Sequence, residues 1–470
     1  MRVQVSRSVA TVRQPASPGT ALVTRRRDDD PVLQVLWRAP MVFLKQRTQP
    51  DCSGDPLVLD SRGLLRRLAS AMLLCVVIVG AIHAHADDLP RSIGAARALE
   101  SSDALPLTSF YTPPSPALHV SPGSLIRAQP FQGYSLPPGA SAIRILYETR
   151  KLDGSDTVAS GVVLIPSGKA PAGGWPVIAW AHGTSGVARQ CAPSLMKDVE
   201  YGSEGLMPMV AAGYAVVATD YAGLGTPGPH QYENKFAQAN DVIYAVAAAH
   251  RAVPSLGARW VAIGHSQGGT AVWGVAEEEA RLDDPGYRGG VSVAGDINFS
   301  DDPNDDPKIV DPATAMYWIY DAFAVQASYP GFDIASMLTP AGMGVYHDLT
   351  TKGCWYYGYA VMEALGPRQV GRSGWTRLKA VKQWFHDNHS SDLPIRGPLL
   401  VIAGDDDRTV PFVSIVRGVE KACRHHLPIE FWHRKGLDHD PLMDKLTPAM
   451  LAWTRDRMAG RPWHGTCGRP

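Results

Sequence analysis

Gly264-His265-Ser266-Gln267-Gly268 sets a serine between two glycines, each two residues away, a spacing suited to a nucleophile on a tight turn. The pattern alone is weak in a chain with 45 glycines. Its flanks strengthen it. Trp260-Val261-Ala262-Ile263 is short, apolar and partly β-branched, the pattern of a buried strand. Residues 269–279 are alanine-rich and end in Glu277-Glu278-Glu279, the pattern of a helix. A serine between strand and helix is a nucleophile elbow. The glycines have a steric reason, because a Cβ two residues from the turn would strike the neighbouring strand or helix. The structural alternative is a turn serine that caps the helix.

A serine hydroxyl becomes a useful nucleophile when a base takes its proton and an acid orients that base. In a sheet of this type the chain order is serine, acid, histidine. Three adjacent aspartates compete for the acid in Gly404-Asp405-Asp406-Asp407-Arg408-Thr409-Val410-Pro411. The G-x-x-D-x-x-V-P spacing carries Asp407 over the carboxyl end of the preceding strand. Asp405 and Asp406 are left to stabilise the turn or to contact Arg408. Among the late histidines, His439 sits in Gly436-Leu437-Asp438-His439-Asp440-Pro441, a loop beyond the last strand from which an imidazole can reach back to Ser266. His433 extends a strand, His425 and His426 lie in a basic connector, and these three with His464 are read as surface residues. The developing oxyanion needs fixed donors. The Gln267 amide is the first; Thr184, by amide or hydroxyl, is the second, with Gly183 as the alternative.

These residues need a sheet to carry them. Segments 143–149 and 157–165, parted by Asp153-Gly154, read as a strand pair around a turn. Further strands are expected at 175–181, 214–220, 291–296, 398–404 and 429–432, and an alanine-rich helix at 239–252. Strands alternating with helices imply a mostly parallel sheet covered on both faces, an α/β fold. Residues 87–140, rich in Pro, Ser and Gly, read as an irregular surface arm. Between 298 and 394 the alternation stops, and Met316-Tyr317-Trp318-Ile319-Tyr320, Met337, Met343 and Trp355-Tyr356-Tyr357 make the stretch aromatic and Met-rich. It occupies the position of an inserted cap. Its aromatic residues fit an apolar acyl pocket or the cap's own core. Asp301-Asp302-Pro303-Asn304-Asp305-Asp306 lacks EF-hand spacing and reads as a solvated loop rather than a calcium site.

Composition narrows the partners. The 470 residues carry 45 basic and 45 acidic side chains, so no cation excess waits to displace phosphate counterions, which argues against nucleic acid. Arg62, Arg66 and Arg67 precede the apolar run 68–82, and Ala84-His85-Ala86 follows, the three parts of a secretory signal spanning 62–86. The run is short for a membrane span, which needs about 20 apolar residues, so cleavage near Ala86 is expected. Residues 1–61 read as an extension, or as the product of a start site assigned too far upstream. Beyond Cys52 and Cys75, four cysteines remain: Cys191, Cys354, Cys423 and Cys467. An even number in an exported chain suggests two disulfides, with three possible connectivities. No C-x-x-C pair exists, which argues against zinc and thioredoxin-like redox chemistry. No metal or organic cofactor is expected.

Together these residues resemble the α/β-hydrolases of the secretory lipase family, the group of Candida lipase A and its bacterial relatives. Phe110-Tyr111-Thr112-Pro113-Pro114, Cys191-Ala192-Pro193-Ser194 and Asp220-Tyr221-Ala222-Gly223-Leu224-Gly225 match beyond the triad, and the likeness covers about 105–465. The resemblance implies a core at 87–297 and 395–470 with a helical lid at 298–394. It also implies the disulfides Cys191–Cys354 and Cys423–Cys467. The fungal enzyme uses an acidic side chain near its oxyanion, whereas this loop reads His-Gly-Thr-Ser. The expected function is that of an exported serine carboxylester hydrolase acting on a small-molecule ester or lipid, with transient contact at a lipid interface. An acyltransferase or serine peptidase would share every catalytic residue. A binding module on an inactive hydrolase fold is the rival from another class. Acyl length, alcohol and oligomeric state are not encoded legibly.

Overall fold

The computed structural model describes residues 89–114, 120–200, 205–298, 312–366 and 369–467. The signal-like segment, Cys52, Cys75 and the acidic run 301–306 lie outside the described residues. Among the described residues no helix is long and apolar enough to cross a membrane.

A nine-stranded sheet runs β1-β2-β3-β5-β4-β6-β7-β8-β9. Its strands are β1 (Leu125–Phe131), β2 (Ser141–Arg150), β3 (Asp156–Ile165), β4 (Trp175–Ala181), β5 (Ala215–Thr219), β6 (Leu256–His265), β7 (Tyr287–Val293), β8 (Leu399–Gly404) and β9 (Ile429–Arg434). Pairs β1–β2, β2–β3 and β3–β5 are antiparallel, and every pair from β5–β4 to β8–β9 is parallel. β4, β5, β7 and β8 are buried over nearly all their residues, as continuous apolar runs in a covered parallel sheet should be.

The helices are α1 (Ile93–Asp103), α2 (Met207–Ala211), α3 (Lys235–Ala252), α4 (Gln267–Leu282), α5 (Pro312–Ser328), α6 (Pro340–Thr351), α7 (Trp355–Leu365), α8 (Lys379–Asn388), α9 (Phe412–Arg424) and α10 (Pro441–Met458). One face of the sheet packs on α3 and α4 through residues such as Val246, Trp260, Trp273 and Val401. The other packs on α2 and α10 through Trp180, Met209, Ile263 and Met450. The arrangement is a covered α/β sheet, as the strand–helix alternation requires.

Helices α5–α8 all fall between β7 and β8 and form their own apolar cluster. Met316, Tyr320, Met337 and Tyr357 are buried in it, so these side chains build that segment's core; Met343 and Tyr356 are exposed. Cys191–Cys354 ties the loop after β4 to the start of α7, and Cys423–Cys467 ties α9 to the C-terminal tail. A buried ion pair between Lys235 of α3 and Glu277 of α4, 2.7 Å long, adds a third tie, and Lys235 Nζ also donates to the His389 carbonyl at 2.6 Å.

The described residues of the stretch 87–140 are more regular than its composition suggests. They include α1 and β1. α1 buries only Ala96, so packing of an apolar face does not explain it. Its hold is polar: the Glu100 carboxylate accepts the Cys354 and Tyr357 amides at the start of α7, at 3.0 and 2.8 Å. β7 begins four residues before the expected strand. Gly289 and Gly290 look like a turn in sequence but are strand residues whose side-chain space is filled: a Cβ on Gly290 would lie 2.7 Å from Val272.

Candidate active site

Ser266 stands between β6 and α4 with φ 55° and ψ −122°. A positive φ at a non-glycine residue costs about 1–3 kcal/mol and persists only where the surroundings impose it. The surroundings do so here. Ser266 N–H donates to Val293 O at 2.9 Å, and Gly269 N–H donates to Ser266 O at 2.7 Å. A Cβ on Gly264 would sit 2.2 Å from Gly268 O, and one on Gly268 would sit 1.9 Å from Ala181 O. The turn is closed against both its own helix and the end of β4. A capping serine would accept an amide through its side chain, and Ser266 makes no side-chain cap hydrogen bond to α4.

Asp407 follows β8 and His439 follows β9. His439 Nδ1–H donates to Asp407 Oδ2 at 2.9 Å. A carboxylate only accepts, so the proton of the neutral imidazole lies on Nδ1 and the lone pair on Nε2. Asp407 Oδ1 accepts the Thr409 and Val410 amides at 2.9 and 2.8 Å, which fixes the carboxylate. Burial pulls the His439 pKa down, but the hydrogen bond and charge of Asp407 outweigh it and hold the pKa above the ordinary histidine value. Arg408 goes to Asp438 rather than to Asp405 or Asp406, donating through Nε at 2.7 Å. Asp438 also accepts the His439 amide at 2.9 Å. Asp405 fastens the turn, taking the Gly436 amide at 2.6 Å and exposed His433 at 2.9 Å.

His265 seats this loop beside the elbow. Its Nε2–H donates to the His439 carbonyl at 3.3 Å, and the two rings lie 4.6 Å apart. Burial, joined by repulsion from His439, pushes the His265 pKa well below the usual range, so it stays neutral when His439 gains a proton. His265, His439 and Asp440 are the one trio among the described residues whose ligand atoms lie close enough to hold a metal ion. One ring nitrogen of each histidine is engaged within the protein, His439 Nδ1 by Asp407 and His265 Nε2 by the His439 carbonyl.

Thr184, in the loop after β4, and Gln267, the first residue of α4, are both buried. Their side chains face partners that sequence reasoning missed. Thr184 Oγ1 meets the Tyr232 hydroxyl at 2.9 Å, and Gln267 Nε2 donates to His230 Nε2 at 3.1 Å. No motif marks His230 or Tyr232, since both sit in the loop between β5 and α3. Three more carboxyls were missed: burial pushes Glu233 and Asp321 well above the usual range and Asp296 up to about 6, with Asp296 repelling the first two.

The sheet order and the helices on its two faces define the class: this chain has the α/β-hydrolase fold. Solved structures share it. Candida antarctica lipase A in its closed state superposes with a TM-score of 0.64 at 15% identity, covering 78% of this chain and 90% of its own. The rice cell wall degrading esterase LipA of Xanthomonas oryzae gives 0.58 at 17% identity, covering 72% and 97%. A putative hydrolase of Legionella pneumophila gives 0.55 at 17%, covering 72% and 100%. No protein-family model matches the chain, and no curated protein matches it.

Proposed function

We propose that the chain is an exported serine carboxylester hydrolase of the lipase or esterase kind. The observation that carries the reading is the strained Ser266 elbow with the Asp407–His439 pair seated beside it through His265. Ser266 Oγ attacks the ester carbonyl while His439 Nε2 takes its proton. The imidazolium that forms is stabilised by Asp407, which holds the ring by Nδ1. The Gln267 amide, at the positive end of α4, and Thr184 receive the oxyanion. Collapse expels the alcohol, which takes the proton back from His439. A water then repeats the sequence on the acyl-enzyme and releases the acid. The scheme uses no metal or organic cofactor.

In this reading 87–297 and 395–470 are the catalytic core, 298–394 is the lid, and residues 62–86 direct export and are removed. Two disulfides fit an oxidising compartment. The named activities of the fold neighbours, a lipase and an esterase, favour an ester over an amide substrate. The test is hydrolysis of p-nitrophenyl esters from C2 to C16. The account expects turnover, with a length profile that separates esterase from lipase; cleavage of p-nitroanilides with none of the esters would replace it with a peptidase.

A further inference from the structure

The sheet pairs β4 with β6 in register as far as Ala181 and Gly264, but Thr184 and Gln267 lie past those strand ends, in segments the ladder does not pair. A buried aromatic stack spans the gap. Tyr221, following β5, lies 4.4 Å from the His182 ring at 33°, and its hydroxyl donates to the His182 carbonyl at 3.0 Å. His230 also stacks with Tyr221, at 5.8 Å and 18°, and Tyr232 meets His230 edge-on at 6.1 Å. None of the four rings is more than 3% exposed. Tyr221 itself carries φ 64°, a left-handed backbone like that of Ser266.

The polar ends of the stack reach both segments. His230 Nδ1 faces the Ala222 carbonyl at 3.1 Å, and a carbonyl can only accept, so Nδ1 carries the proton. His230 Nε2 is then a lone-pair acceptor, and the Gln267 side-chain amide donates to it. Gln267 opens α4, so its own N–H is one of the helix-start donors without an intrahelical partner. Burial pushes the His230 pKa down to about 3 and the Tyr232 pKa well above its usual value, so the imidazole stays neutral and the phenol keeps its proton. The Tyr232 hydroxyl can therefore donate to Thr184 Oγ1, which leaves the Thr184 proton for the site.

We propose that His230 is a positioning residue for the oxyanion hole: locked in one tautomer by Ala222, it clamps Gln267 and, through Tyr221 and Tyr232, aligns it with the His182–Thr184 wall. The proposal rests on the hydrolase reading above. It assigns a function to His230 and Tyr232, which no motif distinguishes.

The test compares wild type, His230→Phe, His230→Gln and Gln267→Leu, with rates normalised to the serine titrated by a fluorophosphonate. His230→Phe keeps the ring and removes the acceptor. The loss of one buried hydrogen bond at the hole predicts a fall in kcat of about tenfold. KM for p-nitrophenyl butyrate should stay within about twofold, and affinity for a trifluoromethyl ketone should fall by the factor lost in kcat. His230→Gln, whose Oε1 can accept in place of Nε2, should recover most of the loss. Gln267→Leu breaks the same bond from the other end and should match His230→Phe, which keeps the proposal testable if the histidine variant does not fold. A lower melting temperature with kcat per titrated serine unchanged in both His230→Phe and Gln267→Leu would reduce the stack to packing and overturn the proposal. Absence of fluorophosphonate labelling at Ser266 in wild type would instead remove the hydrolase reading beneath it.

Discussion

Gly268→Ala is a single-methyl perturbation whose consequence can be worked out in advance. The added Cβ would lie 1.9 Å from Ala181 O, 2.5 Å from Ala181 C and 2.8 Å from His182 O. Ordinary contact begins near 3.4 Å, so the two backbones must part by about 1.5 Å. Ala181 is hydrogen-bonded into the sheet in register with Gly264 and cannot retreat. The start of α4 must move instead, and Gln267 moves with it. A donor displaced by more than about 1 Å no longer makes a hydrogen bond. Loss of one oxyanion donor lowers kcat by about 10²–10³-fold, while overpacking costs about 1–3 kcal/mol of stability. The assay is kcat for p-nitrophenyl butyrate per titrated serine, beside thermal melting. Gly344→Ala is the control, because a Cβ there meets nothing within 4 Å. A Gly268→Ala enzyme with kcat within threefold of wild type would refute the steric account of the elbow.

Asp407→Asn removes the largest influence holding the His439 pKa up, so that burial, opposed only by the charges of Asp440 and Asp438, pulls it down. The acid limb of kcat/KM, which lies above about 6.5 in wild type because the base must be neutral, should move to lower pH as kcat falls by about 10⁴-fold; a pH–rate profile with an unmoved limb contradicts the pairing. Lys235→Met strands the Glu277 carboxyl, which is 1% exposed, and should cost about 3–5 kcal/mol by urea unfolding; the double variant Lys235→Met/Glu277→Leu should recover much of it, and a neutral single variant would deny the tie between α3 and α4. Cys191→Ala/Cys354→Ala opens a loop whose ends are 163 residues apart and should cost about 3–5 kcal/mol on the loop-entropy argument. An unchanged melting temperature would show that the disulfide adds nothing to the packing around it.

Much of this was legible in the sequence where local pattern and tertiary role coincide. The apolar runs of β4, β6 and β8 read as strands because both faces of the sheet are covered. The hairpin of β2 and β3 was marked by Asp153-Gly154, and the elbow glycines announced backbone contact that the structure fills with Gly268 and Ala181. Asp407 and His439 could be ranked because strand ends leave few positions from which side chains can converge. What stayed hidden depends on distant partners. α1 forms without an apolar face because Glu100 meets α7 over 250 residues later. Arg408 could not be matched to Asp438 from spacing, since β9 intervenes. His230 and Tyr232 carry no local signature, and their importance appears only when the fold lays them between Thr184 and Gln267.

The most direct test of the central claim is mass-spectrometric mapping of a fluorophosphonate adduct on the purified protein, run beside ester turnover by Ser266→Ala. The account predicts one adduct, on Ser266, and no turnover above background in the variant. An adduct on another serine, or ester hydrolysis that survives Ser266→Ala, would contradict it.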